Sequence, residues 1–242
     1  MAQALTVVTG GGRGIGTAVC SRLAAAGHDL VIAYRTDVAA AEKTAQAARA
    51  IGRRALIVQA DVTRESEVAA LFEQAASLGA VSGLVNSAGA VRAVGPLVDL
   101  DVNDIRDDIE VNLLGTIICC QAAARVMGSA GGGAIVNLSS AAATLGSPGV
   151  YVHYAAAKAG IDAFTLGLSK ELAPLGIRVN AVAPGVIWTD FHLDPERPAK
   201  LADSIPLGRS GQPEEVASAV TWLLSDEASY TTGAVLRVAG GR

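Results

Sequence analysis

Short apolar runs, many of them β-branched, punctuate this chain, and between them lie longer stretches whose apolar positions recur with helical spacing. The runs at 5–9, 30–34, 55–58, 84–85, 134–138, 177–182 and 234–238 predict strands. Helices are predicted from a glycine-rich turn to about residue 26, over 38–50, from Thr63 as N-cap, over 102–127, from near Tyr154 to about 173, and over 214–224. Strands that alternate with helices of ten or more residues predict a parallel sheet with right-handed crossovers. The strands are apolar throughout, as in a sheet covered on both faces. Ligands of such sheets bind beyond the carboxyl ends of the strands. Thr9-Gly10, Asn86-Ser-Ala-Gly89, Ser139-Ser140 and Pro184-Gly185 all fall there.

Composition narrows the picture. With 242 residues, 51% of them hydrophobic, the chain suits one α/β domain with a large core. A net charge of -4 and the absence of a Lys/Arg cluster give no field for nucleic acid or an anionic membrane. Apolar runs such as 113–120 are shorter than a bilayer span. The first residues lead directly into the run at 5–8 without a basic region and cleavage site, so the expectation is a soluble, cytoplasmic protein. Cys20, Cys119 and Cys120 form no framework and are expected to be buried small hydrophobes. His28, His153 and His192 have no metal spacing, and His153 is expected at the rim of a site. The one long irregular segment, 186–212, contains three prolines and is predicted to be a lid.

The turn Gly10-x-x-x-Gly14-x-Gly16 joins the first strand to the first helix, where glycines let backbone N–H groups approach a pyrophosphate. An NAD enzyme would present an acid at the end of the second strand. Tyr34-Arg35 stands there instead, and Arg35 with Arg13 would suit a 2′-phosphate, so NADP(H) is favoured over NAD(H). Asp61 would accept from the adenine amino group with Val62 against the ring, or else cap the next helix. Asn86 either lines the cleft or ties adjacent strands; Ala88 and Gly89 offer close backbone approach. Asn112, in an apolar helical stretch, must be hydrogen-bonded if buried. Ser140 is placed to hold a carbonyl oxygen beside Tyr154. Tyr154 and Lys158 are i and i+4 on one helix face, where the ammonium would lower the phenol pKa. No G-x-S-x-G nucleophile elbow is present.

In this order, Thr9-Gly-Gly-Gly-Arg-Gly-Ile-Gly16, Asp61-Val62, Asn86-Ser-Ala-Gly89, Asn112, Ser140, Tyr154-x-x-x-Lys158 and Pro184-Gly185 with Thr189 resemble the short-chain dehydrogenase/reductase family over nearly the whole chain. The resemblance implies a single Rossmann-type doubly wound domain of about seven parallel strands with helices on both faces. Residues 1–140 would form its dinucleotide-binding part and 140–242 its catalytic and lid part. It implies Tyr154 as general acid/base, Lys158 tuning it and holding the nicotinamide ribose, Ser140 polarising a substrate carbonyl, and Asn112 anchoring a water. It also implies Ile15 in the glycine turn, Ile187 and Thr189 on the carboxamide, and a homotetramer or homodimer. The substrate would be a small carbonyl compound or alcohol. The 3-oxoacyl-carrier-protein reductases of the family tend to be basic at places corresponding to Gly131 and Leu175, taken to lie beside the cleft. Neither residue is basic here, which puts that particular activity in doubt. A non-catalytic NADP(H) sensor or scaffold is the alternative from another class.

Overall fold

The computed structural model describes residues 4–191 and 193–242, so His192 and the expectation attached to it lie outside the described residues. Strands β1 (Leu5–Thr9), β2 (Asp29–Tyr34), β3 (Ala55–Gln59), β4 (Val81–Asn86), β5 (Gly133–Leu138), β6 (Ile177–Pro184) and β7 (Val235–Val238) form one parallel sheet in the order β3-β2-β1-β4-β5-β6-β7. The helices are α1 (Gly14–Ala25), α2 (Val38–Ala50), α3 (Glu65–Leu78), α4 (Val102–Ile109), α5 (Gly115–Ala130), α6 (Ala142–Leu145), α7 (Val152–Leu172), α8 (Arg197–Leu201) and α9 (Pro213–Leu224). Side chains alternate across each strand. Val8, Ile32 and Val136 therefore meet Val19 and Leu23 of α1, Ala45 of α2 and Val220 of α9. Their neighbours Val7, Val31 and Ile135 meet Leu71 of α3, Cys120 and Met127 of α5 and Leu172 of α7. The two-faced apolar pattern is thus a Rossmann-like sheet with helices on both sides. The strand order reverses between β1 and β4, and a crevice opens there at the carboxyl ends.

Several elements differ from the sequence expectation. Helix α3 begins at Glu65 after Arg64, because Thr63 is engaged one turn earlier: its N–H and hydroxyl donate to Asp61 Oδ1 at 3.0 and 2.8 Å. The helix expected over 102–127 is α4 and α5 joined by a π turn, Glu110–Leu114, in which Gly115 N–H reaches back to Glu110. The widened turn is stitched by Asn112, whose Nδ2 donates to the Asp108 carbonyl at 2.8 Å. Together these pieces span Val102–Ala130, 29 residues that include an 18-residue stretch of mean hydropathy 1.4, long and apolar enough by length and composition alone to cross a bilayer. One side of the stretch lies on the sheet through Cys119, Cys120, Ala123 and Met127. The predicted lid carries the short helix α8. All three cysteines are buried and unpaired, as expected, and burial raises each thiol pKa.

Candidate active site

The crevice at the switch point is a cleft of about 460 Å³, floored by the ends of β1, β2, β4, β5 and β6. At one end stands the glycine turn. Gly10 (φ +65) and Gly14 (φ +50) need the left-handed region, and a Cβ on Gly10 would come within 2.9 Å of the Ala88 backbone. Arg13, the residue before α1, makes no side-chain cap, and the first turn of α1 holds no acid. The amides at that helix end are therefore left facing the cleft with the positive end of the helix dipole. Arg13, Ile15, Tyr34, Arg35, Asp61 and Val62 line the same end. Asp61 is raised by partial burial, but hydrogen bonds from Thr63 and the nearby Arg35 and Arg64 outweigh this and hold its carboxyl below the usual range. Asp37, which the sequence reading did not single out, also lines this end. Its carboxylate accepts from Ala40 N–H at 2.9 Å and so is partly engaged as the cap of α2.

Two expected cleft residues are placed elsewhere. Asn86 is buried in the sheet, where its Nδ2 donates to Asn137 Oδ1 at 2.9 Å and Asn137 donates on to Thr165 at 3.0 Å. It ties β4 to β5, the second of the two options open in the sequence, while Ala88 and Gly89 line the cleft. Gly16 does not reach the cleft. A Cβ there would lie 2.2 Å from the Gly10 carbonyl, so Gly16 allows α1 to sit against the turn.

At the other end Asn112, Ser140, Tyr154 and Lys158 converge, with Pro184, Gly185, Ile187 and Thr189 beside them. The first turns of α7 carry Tyr154 and Lys158 against the end of β5. Lys158 Nζ donates to the Leu138 carbonyl at 2.8 Å and lies 5.6 Å from the Tyr154 ring centroid. Burial pushes its pKa down to about 8, with Asp162 opposing. The expected lowering of Tyr154 by Lys158 is not what governs the phenol here. Burial raises its pKa; a hydrogen bond from Ser140 opposes, and Tyr151 and Asp108 add to the rise. A buried phenol loses hydration of its anion, and an ammonium that is itself desolvated does not offset that loss. Asn112 donates to the Ala90 carbonyl at 2.5 Å, and its buried Oδ1 has no hydrogen-bond partner among the described residues. A Cβ on Gly89 would stand 2.9 Å from that oxygen.

His153 is not at a rim. It is buried, and its Nε2 pairs with Asp108 Oδ2 at 3.0 Å. Asp108 also accepts from the backbone N–H of Arg92 and Ala93, the latter at 3.2 Å, and so pins the loop after β4 to the start of α7. Phe191 and Leu193 of the lid form an apolar wall of the cleft with Tyr151 and Val91, and Trp188 stands outside it. Tyr151 packs edge-on against Tyr154 with ring centroids 5.2 Å apart, and Phe191 lies 6.0 Å away on another side. Gly131 and Leu175 precede β5 and β6, at the opposite end of the sheet from the cleft, so within one chain they do not flank it.

A family profile described as Enoyl-(Acyl carrier protein) reductase matches residues 10–242. The chain belongs to the short-chain dehydrogenase/reductase family. It is 42% identical to the "Uncharacterized oxidoreductase YgfF" of Escherichia coli (strain K12), over 99% of this chain and 100% of that protein. It is 39% identical to a 3-oxoacyl-[acyl-carrier-protein] reductase of Synechocystis sp., over 98% of this chain and 96% of that protein. Among solved structures, a short chain dehydrogenase from Burkholderia cenocepacia in complex with NADP superimposes with a TM-score of 0.92 at 36% identity, covering 98% of this chain and 97% of that one. Family membership makes the chain an oxidoreductase of the nicotinamide-dependent kind.

Proposed function

We propose that this short-chain dehydrogenase/reductase is an NADP(H)-dependent enzyme that interconverts a small ketone or aldehyde and the corresponding alcohol. The observation that carries this reading is the convergence of Asn112, Ser140, Tyr154 and Lys158 at one end of a cleft whose other end is the glycine turn with Arg13 and Arg35. The residues present fit a dinucleotide. The turn admits close backbone approach at Gly10 and Gly14, the amides of α1 face it, and the orphaned Asn112 Oδ1 offers an acceptor inside. Arg13 and Arg35 would hold a 2′-phosphate, Asp61 and Val62 the adenine, Lys158 the nicotinamide ribose, and Ile187 and Thr189 the carboxamide.

A bound nicotinamide supplies or accepts the hydride. Ser140 holds the substrate oxygen, and Tyr154 gives it a proton in reduction or takes one in oxidation. With its pKa raised by burial, Tyr154 stays protonated at neutral pH, which suits the proton-donating, reductive direction. Asn112 fixes a water that returns the proton from solvent. Phe191, Tyr151 and Val91 give the substrate an apolar surround that excludes bulk water.

Reduction of a carrier-bound 3-oxoacyl thioester is the second reading, favoured by the likeness to the Synechocystis reductase. A sensor or scaffold role has against it the complete set of four chemical side chains. The exposed apolar residues of the α4–α5 stretch, Val102, Ile109 and Leu114, support a homotetramer or homodimer in which a second copy covers them. Buried, unpaired thiols accord with a cytoplasmic protein. The test is NADPH oxidation with a panel of ketones, aldehydes and acetoacetyl thioesters, followed at 340 nm. Turnover of at least one class is expected. Tight NADPH binding with no turnover of any of them would favour the sensor.

A further inference from the structure

Next to the cleft, and sharing Ser140 and Tyr151 with it, lies a second hollow of about 50 Å³. Its polar lining comprises Ser140, Ser147, Tyr151, Arg197 and Arg242, with no acidic side chain among its walls. Arg197 is held in position rather than waving in solvent. Its guanidinium donates to the Tyr151 hydroxyl at 3.1 Å and sits 5.3 Å from that ring. Tyr151 in turn packs edge-on against Tyr154. Glu196, next to Arg197 along the chain, is exposed, and Asp194 is exposed, bonded to Lys200 at 2.8 Å and close enough for Arg197 to lower its carboxyl pKa; no described carboxylate side chain lies within ion-pair distance of Arg197 or Arg242. Ser147, on the rim of the same hollow, is the only described non-glycine residue with positive φ, at 45°, which marks a backbone held in a costly conformation there.

Two guanidinium-bearing residues with no ion-paired carboxylate side chain, of which Arg197 lies over the ring that packs against the reacting phenol, make an electropositive recess beside Ser140. Each water needs about 10–15 Å³ of space on this measure, so the recess admits a small polar group such as a carboxylate. We propose that the natural substrate is an oxo acid or hydroxy acid whose carboxylate is received by Arg197 and Arg242 while its carbonyl or hydroxyl lies between Ser140 and Tyr154. This deepens the reading of the cleft given above and rests on it. The planar fork of Arg197 would grip the carboxylate with paired N–H donors. Tyr151 would separate this charge from Tyr154, so that substrate binding fixes the distance between anion and reacting carbon.

The test compares a series of oxo acids of four to eight carbons with their methyl esters in NADPH-dependent reduction by the full-length protein. The best acid is expected to exceed its ester in kcat/KM by about tenfold or more, chiefly through KM. In Arg197→Gln and in Arg242→Gln that ratio should fall towards one, and Arg197→Lys should restore part of it. A second readout needs no turnover: with NADP+ present, cyclohexanecarboxylate should bind at least tenfold more tightly than cyclohexanecarboxamide by calorimetry. Esters turned over as well as acids, or a ratio unmoved in a folded Arg197→Gln protein, would overturn the proposal. If no compound is reduced while cyclohexanecarboxylate still binds selectively, the oxidoreductase reading fails and the anion subsite stands. Loss of both preferences removes the subsite alone when the esters are turned over.

Discussion

Replacing Lys158 by Met removes a buried ammonium while keeping the length and most of the volume of its side chain. Burial lowers the Lys158 pKa from its ordinary 10.5 to about 8, a shift worth roughly 3 kcal/mol at 1.36 kcal/mol per unit. The sign follows from proton counts. Between pH 8 and 10.5 the unfolded chain binds a proton at this lysine that the folded chain does not, so this group's contribution to stability rises with pH across that window. Below pH 8 both states are protonated and the full cost of burying the charge is felt. Against it stands the bond to the Leu138 carbonyl at 2.8 Å, whose loss costs about 1–2 kcal/mol. Lys158→Met should therefore gain about 1–2 kcal/mol at pH 7, an upward shift of about 2–8 °C for a chain of this size. At pH 10 the gain should vanish or reverse. On the role proposed for Lys158, in which the same amine holds the ribose, turnover and NADPH affinity should both fall. Thermal melts of the cofactor-free proteins at pH 7, 8.5 and 10 measure this. A difference between parent and variant that is the same at all three pH values would refute the reasoning.

Arg35→Ala should weaken NADPH binding by about 10- to 100-fold, the value of one or two charge-assisted bonds, and leave NADH nearly untouched; fluorescence titration of both cofactors checks it, and equal losses for both would count against the 2′-phosphate role. Asp108→Ala strands His153 Nε2 and the backbone N–H groups of Arg92 and Ala93, and should cost about 3–5 kcal/mol by urea melting, where a change under 1 kcal/mol would show the pin to be idle. Gly16→Ala drives a Cβ into the Gly10 carbonyl and should cost about 2–3 kcal/mol while distorting the glycine turn, so that NADPH binding falls with stability; an unchanged melt would mean that α1 can shift freely.

The strands, the glycine turn and the long helices were legible in the sequence because each rests on short-range pattern: apolar alternation, a glycine spacing, a helical period. What was not legible depends on partners far along the chain. Asn86 was left open between cleft and sheet, and the decision lies with Asn137, 51 residues on. His153 was expected at a rim because its helix position points away from Tyr154. Asp108, 45 residues earlier, gives it a buried partner instead. Thr63 has the composition of an N-cap, but the Asp61 carboxylate two residues back captures its hydroxyl first. The phenol–ammonium pairing was correct as proximity and wrong as electrostatics, because spacing conveys nothing about how deeply both groups are buried. Arg197 and the hollow it shares with Tyr151 were invisible for a similar reason: the lid, which carries Arg197, has no periodicity from which its side chains can be aimed.

The central claim is that Tyr154 carries the proton for a reaction whose hydride comes from NADPH. The most direct measurement pairs NADPH titration with steady-state turnover for the parent protein and Tyr154→Phe on the best ketone of the panel. The account expects NADPH to bind the two proteins within about threefold of each other, and turnover to fall by about 100- to 10,000-fold in the variant, the range for loss of a general acid. Turnover by Tyr154→Phe within tenfold of the parent would contradict it.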